Sequence, residues 1–321
     1  MVIFVVSNHN IFFMKNQFIK SNLLNIIGFN LLLMFGSAQT SKAQESVVTF
    51  DIGSCAITLL SEGQRQGNAS ILIGATEEMM KQSIPDGTYP SATNVFLVEM
   101  ADKNVLIDAG LGPKTLENLE LCGKKASDID AIFITHFHGD HTGSLVLNNE
   151  RSFTKAALYV SKPEYEYYMN DELMNNTPEN RRSAFSIARQ IFEAYKDKLT
   201  VFIPSEIEIA QELIPGIRGV AAYGHTPGHV GYLLESDGQK LFFWGDLTHA
   251  MAIQMPYPEV AVTYDSDPIL AVESRQKLLK YLSDNNLRIA GAHIQFPGIG
   301  LVKKNNTNGY TFNLTCLCEG R

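Results

Sequence analysis

Basic side chains are in short supply. The chain carries 26 Lys and Arg against 34 Asp and Glu in 321 residues, a formal charge of −8. Three of those cations, Lys15, Lys20 and Lys42, fall in the first 43 residues, where there is no acidic residue. That leaves 23 basic against 34 acidic side chains afterwards, a net −11. This argues against a nucleic-acid backbone as the main partner, because phosphate binding rests on clustered Lys and Arg. Cysteine is equally scarce. Four are present, which allow three complete pairings, and sequence does not choose among them. Cys55 and Cys122 are available to pair in an oxidising compartment, whereas the isolated Cys316-x-Cys318 reads as tail sequence rather than a soft-metal site. A membrane anchor needs about 20 largely apolar residues. The candidate run, Leu23 to Phe35, is shorter and is broken by Asn25, Gly28 and Asn30, and no Cys directly follows it for lipid attachment.

With 45% hydrophobic and 19% charged residues, the chain can bury a sizeable core as one large domain or two small ones. Its beginning reads as an export signal. Counting from Met14, Lys15 and Lys20 form a basic region, Leu23 to Phe35 the apolar region, and Ser41-Lys42-Ala43 a small-residue site for cleavage before Gln44. The expected division is a leader over residues 1–43 and a mature domain over 44–321, periplasmic or secreted, with Met1 to Phe13 upstream of the true start.

The stretch Ile134-Thr135-His136-Phe137-His138-Gly139-Asp140-His141-Thr142-Gly143 packs three imidazoles and a carboxylate into six residues. It follows the apolar run Ala131 to Ile134, a buried strand feeding a tight loop. Such crowding is costly without a cation. Imidazole nitrogen and carboxylate oxygen are the usual ligands of zinc and similar divalent metals, and a strand end holds them rigidly while leaving a coordination position open to water.

Other candidates also sit at strand ends. Val48, Phe50 and Ile52 alternate with Thr49 and Asp51, and Ala56 to Leu60 resumes after Gly53-Ser54, which predicts a hairpin; Asn94 to Glu99 and Asn104 to Asp108 predict two more strands. Asp108, before Ala109-Gly110, reads as a turn former or as the acceptor for the free N–H of a metal-bound histidine. Leu72 to Gly87 reads as a surface loop overhanging the site. Leu116 to Leu121 predicts a short helix, Ala157 to Val160 a strand and Lys162 to Met169 a helical turn. Arg181 to Leu199 predicts a helix burying Ala184, Ile187, Ala188, Ile191, Phe192, Tyr195 and Leu199. The aromatic run Tyr165 to Tyr168 either packs as an ordinary helix or lines a substrate pocket. His225-Thr226-Pro227-Gly228-His229 follows the strand Gly219 to Ala222, and its Pro-Gly turn can hold His229 inward. Leu241 to Trp244 ends at Gly245-Asp246. Pro268 to Ser283 predicts a helix, and Leu287 to Ala290 a strand ending at Gly291-Ala292-His293. A single metal site at a sheet edge requires this repeated placement.

Of eight histidines, His9 lies in the leader and the others are His136, His138, His141, His225, His229, His249 and His293. Together they resemble the metallo-β-lactamase superfamily. Its H-x-H-x-D-H loop is matched by His136-Phe137-His138-Gly139-Asp140-His141, and its later ligands by His229, Asp246 and His293. The resemblance implies an α/β fold, an αββα sandwich of two mixed β-sheets flanked by helices, with two divalent metal ions, zinc foremost, at one sheet edge. It also implies that His136, His138 and His229 hold the first metal and Asp140, His141 and His293 the second, with Asp246 bridging. Two cations about 3.5–4 Å apart lower the pKa of a bridging water toward neutrality. The resulting hydroxide is the expected nucleophile, and Asp140 either orients it or returns a proton to the leaving group. His225 and His249 are left over as hydrogen-bonding residues.

True β-lactamases of this fold generally lack a bridging Asp at the position of Asp246, whereas lactonases, glyoxalase II-type thioesterases and phosphoesterases retain it. Trp244 to His249 and Ala292 to Gly300 resemble the methyl parathion hydrolase-like branch, which implies lactone, ester or organophosphate triester hydrolysis. The expectation is an exported zinc-dependent hydrolase of a small-molecule substrate, with no nucleic acid and no stable membrane association after leader cleavage, and with a homodimer left open. The alternatives are a β-lactamase or thioesterase of the same fold, a flavodiiron-type redox enzyme, or a non-catalytic binding module. The redox enzyme would need a fused flavin domain that does not fit after His293, and the binding module would be expected to lose ligands.

Overall fold

The computed structural model describes residues 46–314. The leader, its cleavage site and Cys316-x-Cys318 lie outside the described residues. Two seven-stranded sheets dominate. The first runs from edge to edge as Val47–Ile52, Cys55–Asn68, Thr88–Glu99, Asn104–Ile107, Ala131–Phe133, Ala157–Ser161 and Leu199–Phe202. The second runs Glu212–Ile214, Ile217–Ala221, Val230–Ser236, Gln239–Phe243, Arg288–Ala290, Ile299–Lys304 and Tyr310–Leu314. Both are mixed: the last four strands of the first sheet pair parallel, as do Gln239–Phe243 and Arg288–Ala290, while the other pairs are antiparallel.

The layering follows from period-2 alternation, since successive strand residues face opposite sides of a sheet. In Thr88–Glu99, Phe96 and Val98 enter a cluster with Tyr232, Leu234, Leu241 and Phe243 of the second sheet. Their neighbours Val95 and Leu97 face the other way and pack with Leu119, Phe185, Ala188 and Phe192 of the helices. The second sheet repeats the arrangement. Leu233, Phe242 and Ile289 pack outward against Leu278, Leu279 and Leu282 of the helix Pro268–Asp284. The result is the αββα sandwich expected from the sequence. Each fully buried Leu, Ile or Phe contributes about 1.5–3 kcal/mol, so both sheets are anchored on two faces and their strand ends make a stiff platform.

Three expectations need correction. Leu72 to Gly87 is not a loop over the site. Leu72–Ile73 pairs with Ala261–Val262, and Glu77–Ser83 is a helix whose Thr76 side chain accepts a hydrogen bond from the Met79 N–H at 3.2 Å. Met79 and Met80 pack there against Ile84, Tyr89 and Ile253. The helix of Arg181 to Leu199 is Glu179–Ala194 and its phase differs: Phe185, Ala188, Ile191 and Phe192 are buried, while Ile187 is 53% exposed. Ala184 and Ile187 suit a core stripe by being apolar, yet the larger Phe185 sets the face. Leu199 opens a strand. Cys55 and Cys122 are free thiols, not a disulfide. Among the described residues no helix is long and apolar enough to cross a membrane.

Candidate metal centre

Four loops meet at one end of the sandwich, each leaving a buried strand: residues 134–143 after Ala131–Phe133, 222–229 after Ile217–Ala221, 244–249 after Gln239–Phe243, and 291–293 after Arg288–Ala290. Their ligand-type side chains gather around Asp246, whose carboxylate is buried. In the first group, the Nε2 atoms of His136 and His225 each lie 3.0 Å from His138 Nδ1, and 3.6 and 3.4 Å from Asp246 Oδ2. In the second, His141 Nε2 lies 3.1 Å from Asp246 Oδ1 and 3.7 Å from Asp140 Oδ1. His293 Nε2 lies 3.0 Å from Asp246 Oδ2 and 3.7 Å from Asp140 Oδ2. His136, His138, His225 and Asp246 form one set whose donor atoms all lie within 4.8 Å of one another, and Asp140, His141 and His293 form another.

The donors fit cations. His141 Nε2 and Asp246 Oδ1 are buried with no hydrogen-bond partner, a costly condition unless something else neutralises their lone pairs. The outward nitrogens explain which lone pairs face in. His141 Nδ1 is 2.7 Å from Asp108 Oδ2, His225 Nδ1 is 2.9 Å from Asp265 Oδ1, and His293 Nδ1–H donates to Ala92 O at 2.8 Å. Each such contact puts the proton on Nδ1 and turns the Nε2 lone pair to the centre. Asp108 also accepts from the Thr135 N–H and hydroxyl, and it is held at φ 65°, a left-handed conformation that non-glycine residues seldom adopt. Of its two sequence readings, Asp108 is the acceptor for a histidine N–H.

The resemblance implied His229 as the third ligand of the first metal, and here the structure departs from it. His229 Nδ1–H donates to Ala222 O at 2.8 Å, and its Nε2 accepts from the Asp246 N–H at 2.9 Å. Both nitrogens are committed to the backbone, so no lone pair is left for a cation. His225, read from sequence as a leftover, stands in that place. Gly245 makes the His229 contact possible, because at φ +55° a Cβ there would sit 2.5 Å from His229 Nε2.

The protonation of the metal-free rings is set by burial and by the carboxylates, and it does not track which of them face the centre; a cation would have to displace the Nε2 proton of His225. Burial pushes His136 well below its ordinary value, and it lowers His138 and His229 to about 3 and His249 to about 4. Burial also works to lower His225, yet hydrogen bonds to Asp246 and Asp265 override it and raise the ring to about 9. Burial would raise Asp246, but His141, His293, His249 and His136 hold it well below the carboxylate range.

Two residues that sequence reasoning missed support this geometry. Glu164, fully buried on the helix Lys162–Met169, accepts from the Phe137 N–H at 2.8 Å, the Thr226 hydroxyl at 2.7 Å and the Gly228 N–H at 2.9 Å. It thereby ties the His136–His141 loop to the His225–His229 loop. Arg65, on the long hairpin, donates to Thr93 Oγ1 at 2.8 Å and brings its guanidinium within 3.8 Å of Asp140 Oδ2. Neither carries a sequence signal, since the first is one acid in an aromatic helix and the second one cation in a strand.

A cavity of about 740 Å³ opens over the centre. It is lined by His138, Asp140, Asp246, His249 and His293 and also by Tyr167, Tyr168, Phe185 and Arg181. The aromatic run therefore serves both readings: Tyr167 and Tyr168 line the cavity, Tyr168 also belongs to the core, and Tyr165 packs on Phe192.

Comparison with known proteins agrees. Residues 88–293 match the Metallo-beta-lactamase superfamily. Among curated relatives, cleavage and polyadenylation specificity factor 73 of Drosophila melanogaster is 26% identical over 52% of this chain. The anti-Pycsar protein Apyc1 of Paenibacillus sp. (strain J14) is 30% identical over 48% of it. The matched stretches span 26% and 60% of those two proteins. Among solved structures, AidC, a dizinc quorum-quenching lactonase in complex with a product, N-hexanoyl-L-homoserine, superposes with a TM-score of 0.76 at 26% identity. It covers 84% of this chain and 98% of its own. The hydrolase AbOPH gives a TM-score of 0.74 at 26% identity, covering 83% and 96%. The chain belongs to the metallo-beta-lactamase superfamily.

Proposed function

We propose that this protein is an exported dinuclear metal-dependent hydrolase that cleaves lactone or carboxylic ester bonds of a small molecule with an apolar arm, with phosphotriesters as a secondary activity. The observation that carries the reading is the convergence of ligand-type side chains on Asp246 in a cavity that Tyr167, Tyr168 and Phe185 also line. His136, His138, His225 and Asp246 would hold one cation, and Asp140, His141, His293 and Asp246 the other. When bound, the pair polarises the scissile carbonyl and activates water, work for which zinc, with its open coordination position, is well suited.

The chain's own residues supply the rest. Asp140 is 22% exposed in the cavity, against 3% for Asp246, so its Oδ2 is the carboxylate placed to pass a proton from water to the leaving-group oxygen. Tyr167, Tyr168 and Phe185 exclude water from the side where an acyl chain would lie. Two of the solved neighbours support the reading, since AidC is a dizinc lactonase caught with an acyl-homoserine product and AbOPH is a hydrolase. The acidic balance after residue 43 weighs against a nucleic-acid substrate.

The test is the zinc-loaded protein on acyl-homoserine lactones, aryl esters, a phosphotriester and a cephalosporin. Turnover is expected to be highest on the lactones or esters, and turnover confined to the cephalosporin would overturn the proposal. Export is tested separately: N-terminal sequencing of protein from the periplasm or medium is expected to begin at Gln44.

A further inference from the structure

We propose that the substrate is an ester or lactone whose apolar arm ends in a carboxylate, and that Arg181 is the residue that selects it; this rests on the hydrolase reading above and narrows its substrate class. Arg181 lies in the first turn of the helix Glu179–Ala194 and lines the cavity that also holds Asp140, Asp246 and His293. Two other arginines of that helix are occupied. Arg182 donates to Thr177 O at 2.7 Å and Asn175 O at 2.9 Å, and Arg189 to Tyr168 O at 2.9 Å and Asp171 Oδ1 at 2.8 Å. The side chain of Arg181 is exposed and has neither an ion pair nor a hydrogen bond among the described residues, so its charge is left to whatever enters the cavity.

The other Asp and Arg side chains of the lining are already matched. Asp246 is ringed by histidines, and Asp140 lies 3.7 Å from the Nε2 atoms of both His141 and His293. Asp265 faces His225 Nδ1 at 2.9 Å and accepts from the Val262 N–H at 3.0 Å. Arg65 donates to Thr93 Oγ1 at 2.8 Å and stands 3.8 Å from Asp140 Oδ2. No carboxylate is left for a cationic ligand, whereas one guanidinium is left for an anionic one. Its neighbours fix where on the substrate the anion must be. Phe185 is four residues on, the next turn of the same helix face, and lines the same cavity. Burial and Glu164 raise the Tyr167 hydroxyl and the charge of Arg181 opposes them, which puts the guanidinium near that ring as well. An acyl arm running from the Asp246 centre past Tyr167 and Phe185 therefore meets Arg181. A wholly apolar arm would strip water from the guanidinium and give nothing back. A terminal carboxylate replaces that water with two parallel charge-assisted hydrogen bonds. One guanidinium balances one negative charge, so a carboxylate fits better than the near-dianion of a phosphate monoester.

The test uses the full zinc-loaded protein and three variants: Arg181→Met, which removes the charge, Arg181→Lys, which keeps it, and Arg65→Met, which removes the cation beside Asp140. Two comparisons are read. One is the Kd of adipate against that of hexanoate, which differ only by a terminal carboxylate in place of a methyl group; the other is kcat/KM on mono-p-nitrophenyl adipate against p-nitrophenyl hexanoate. The unmodified protein is expected to favour the charged member of each pair about 10–100-fold, and by less at high salt. Arg181→Met should bring each ratio to one or below, Arg181→Lys should keep part of it, and Arg65→Met should leave the preference in place. Hexanoate bound as tightly as adipate by the unmodified protein would overturn the proposal. So would a preference for adipate that survives Arg181→Met, or one that disappears in Arg65→Met and so moves the anion to Arg65. Because Arg181 is exposed, its variants are expected to fold. Binding is read without turnover: an inactive protein that still prefers adipate through Arg181 faults the hydrolase reading alone, whereas ester turnover with no preference for the charged arm faults this inference alone.

Discussion

Replacing His229 by alanine separates a ligand from a brace. The ring is fully buried, accepts from the Asp246 N–H at 2.9 Å and donates to Ala222 O at 2.8 Å. Truncation leaves a buried N–H and a buried carbonyl without partners, about 1–3 kcal/mol each, and adds a cavity, for roughly 3–6 kcal/mol in all. For a domain of this size each kcal/mol is worth about 2–4 °C, so Tm is expected to fall by roughly 10–20 °C. Metal content is expected to stay at two ions per chain, whereas His225→Ala, which removes an inward-facing Nε2, loses one. Acid titration gives a second reading. Burial, with the charge of His225 adding to it, pushes His229 down to about 3, against about 6.5 in the unfolded chain. Below pH 6.5 the unfolded state binds a proton that the folded ring refuses. The stability tied to the neutral ring is therefore full above pH 6.5 and is lost as pH falls toward 3, at about 1.4 kcal/mol per unit. Urea unfolding at pH 7 and pH 5 should show His229→Ala losing about 2 kcal/mol less than the unmodified protein over that interval. A variant that keeps its Tm and loses one metal ion would refute this reasoning and return His229 to the ligand set.

Chelation is expected to abolish hydrolysis and to lower Tm, with zinc, manganese or cobalt restoring both; turnover by protein shown by elemental analysis to be metal-free would refute the dinuclear reading. Asp265→Ala removes the acceptor 2.9 Å from His225 Nδ1, so the first site should bind zinc about 10–100-fold more weakly in a competitive chelator titration, and unchanged affinity would sink the orienting role. Glu164→Ala strips the partners of two backbone N–H groups and a hydroxyl at once. It is expected to cost about 3–6 kcal/mol in urea unfolding, and a loss below about 1 kcal/mol would mean the two loops hold their places without it.

The fold was legible because alternation and strand-end placement are local properties. Phe96 and Val98 against Val95 and Leu97 already divide the sandwich core from the helix layer, and the strand-end positions of His136, Asp246 and His293 point to one edge. What was not legible depends on long-range partners. Glu77–Ser83 is a seven-residue helix whose half-buried methionines find cover only because Ile253 and Tyr89 come to meet it. Glu164 becomes a brace only when Phe137, Thr226 and Gly228 turn their donors toward it, and no spacing within the aromatic helix announces that.

The choice between His225 and His229 shows where pattern reading stops. Both belong to His225-Thr226-Pro227-Gly228-His229, both are buried and both lie near Asp246. Residue type and distance do not separate them. What separates them is the far nitrogen. His225 has a carboxylate behind it, Asp265, so its proton is drawn outward and its Nε2 lone pair is left for a cation, whereas His229 has a carbonyl behind it and a peptide N–H in front, which uses the lone pair up. Ligand identity in this centre is thus decided by what stands on the far side of each ring, and that information resides in Asp108, Asp265, Ala92 and Ala222, residues separated in sequence from the histidines they orient by as many as 201 positions.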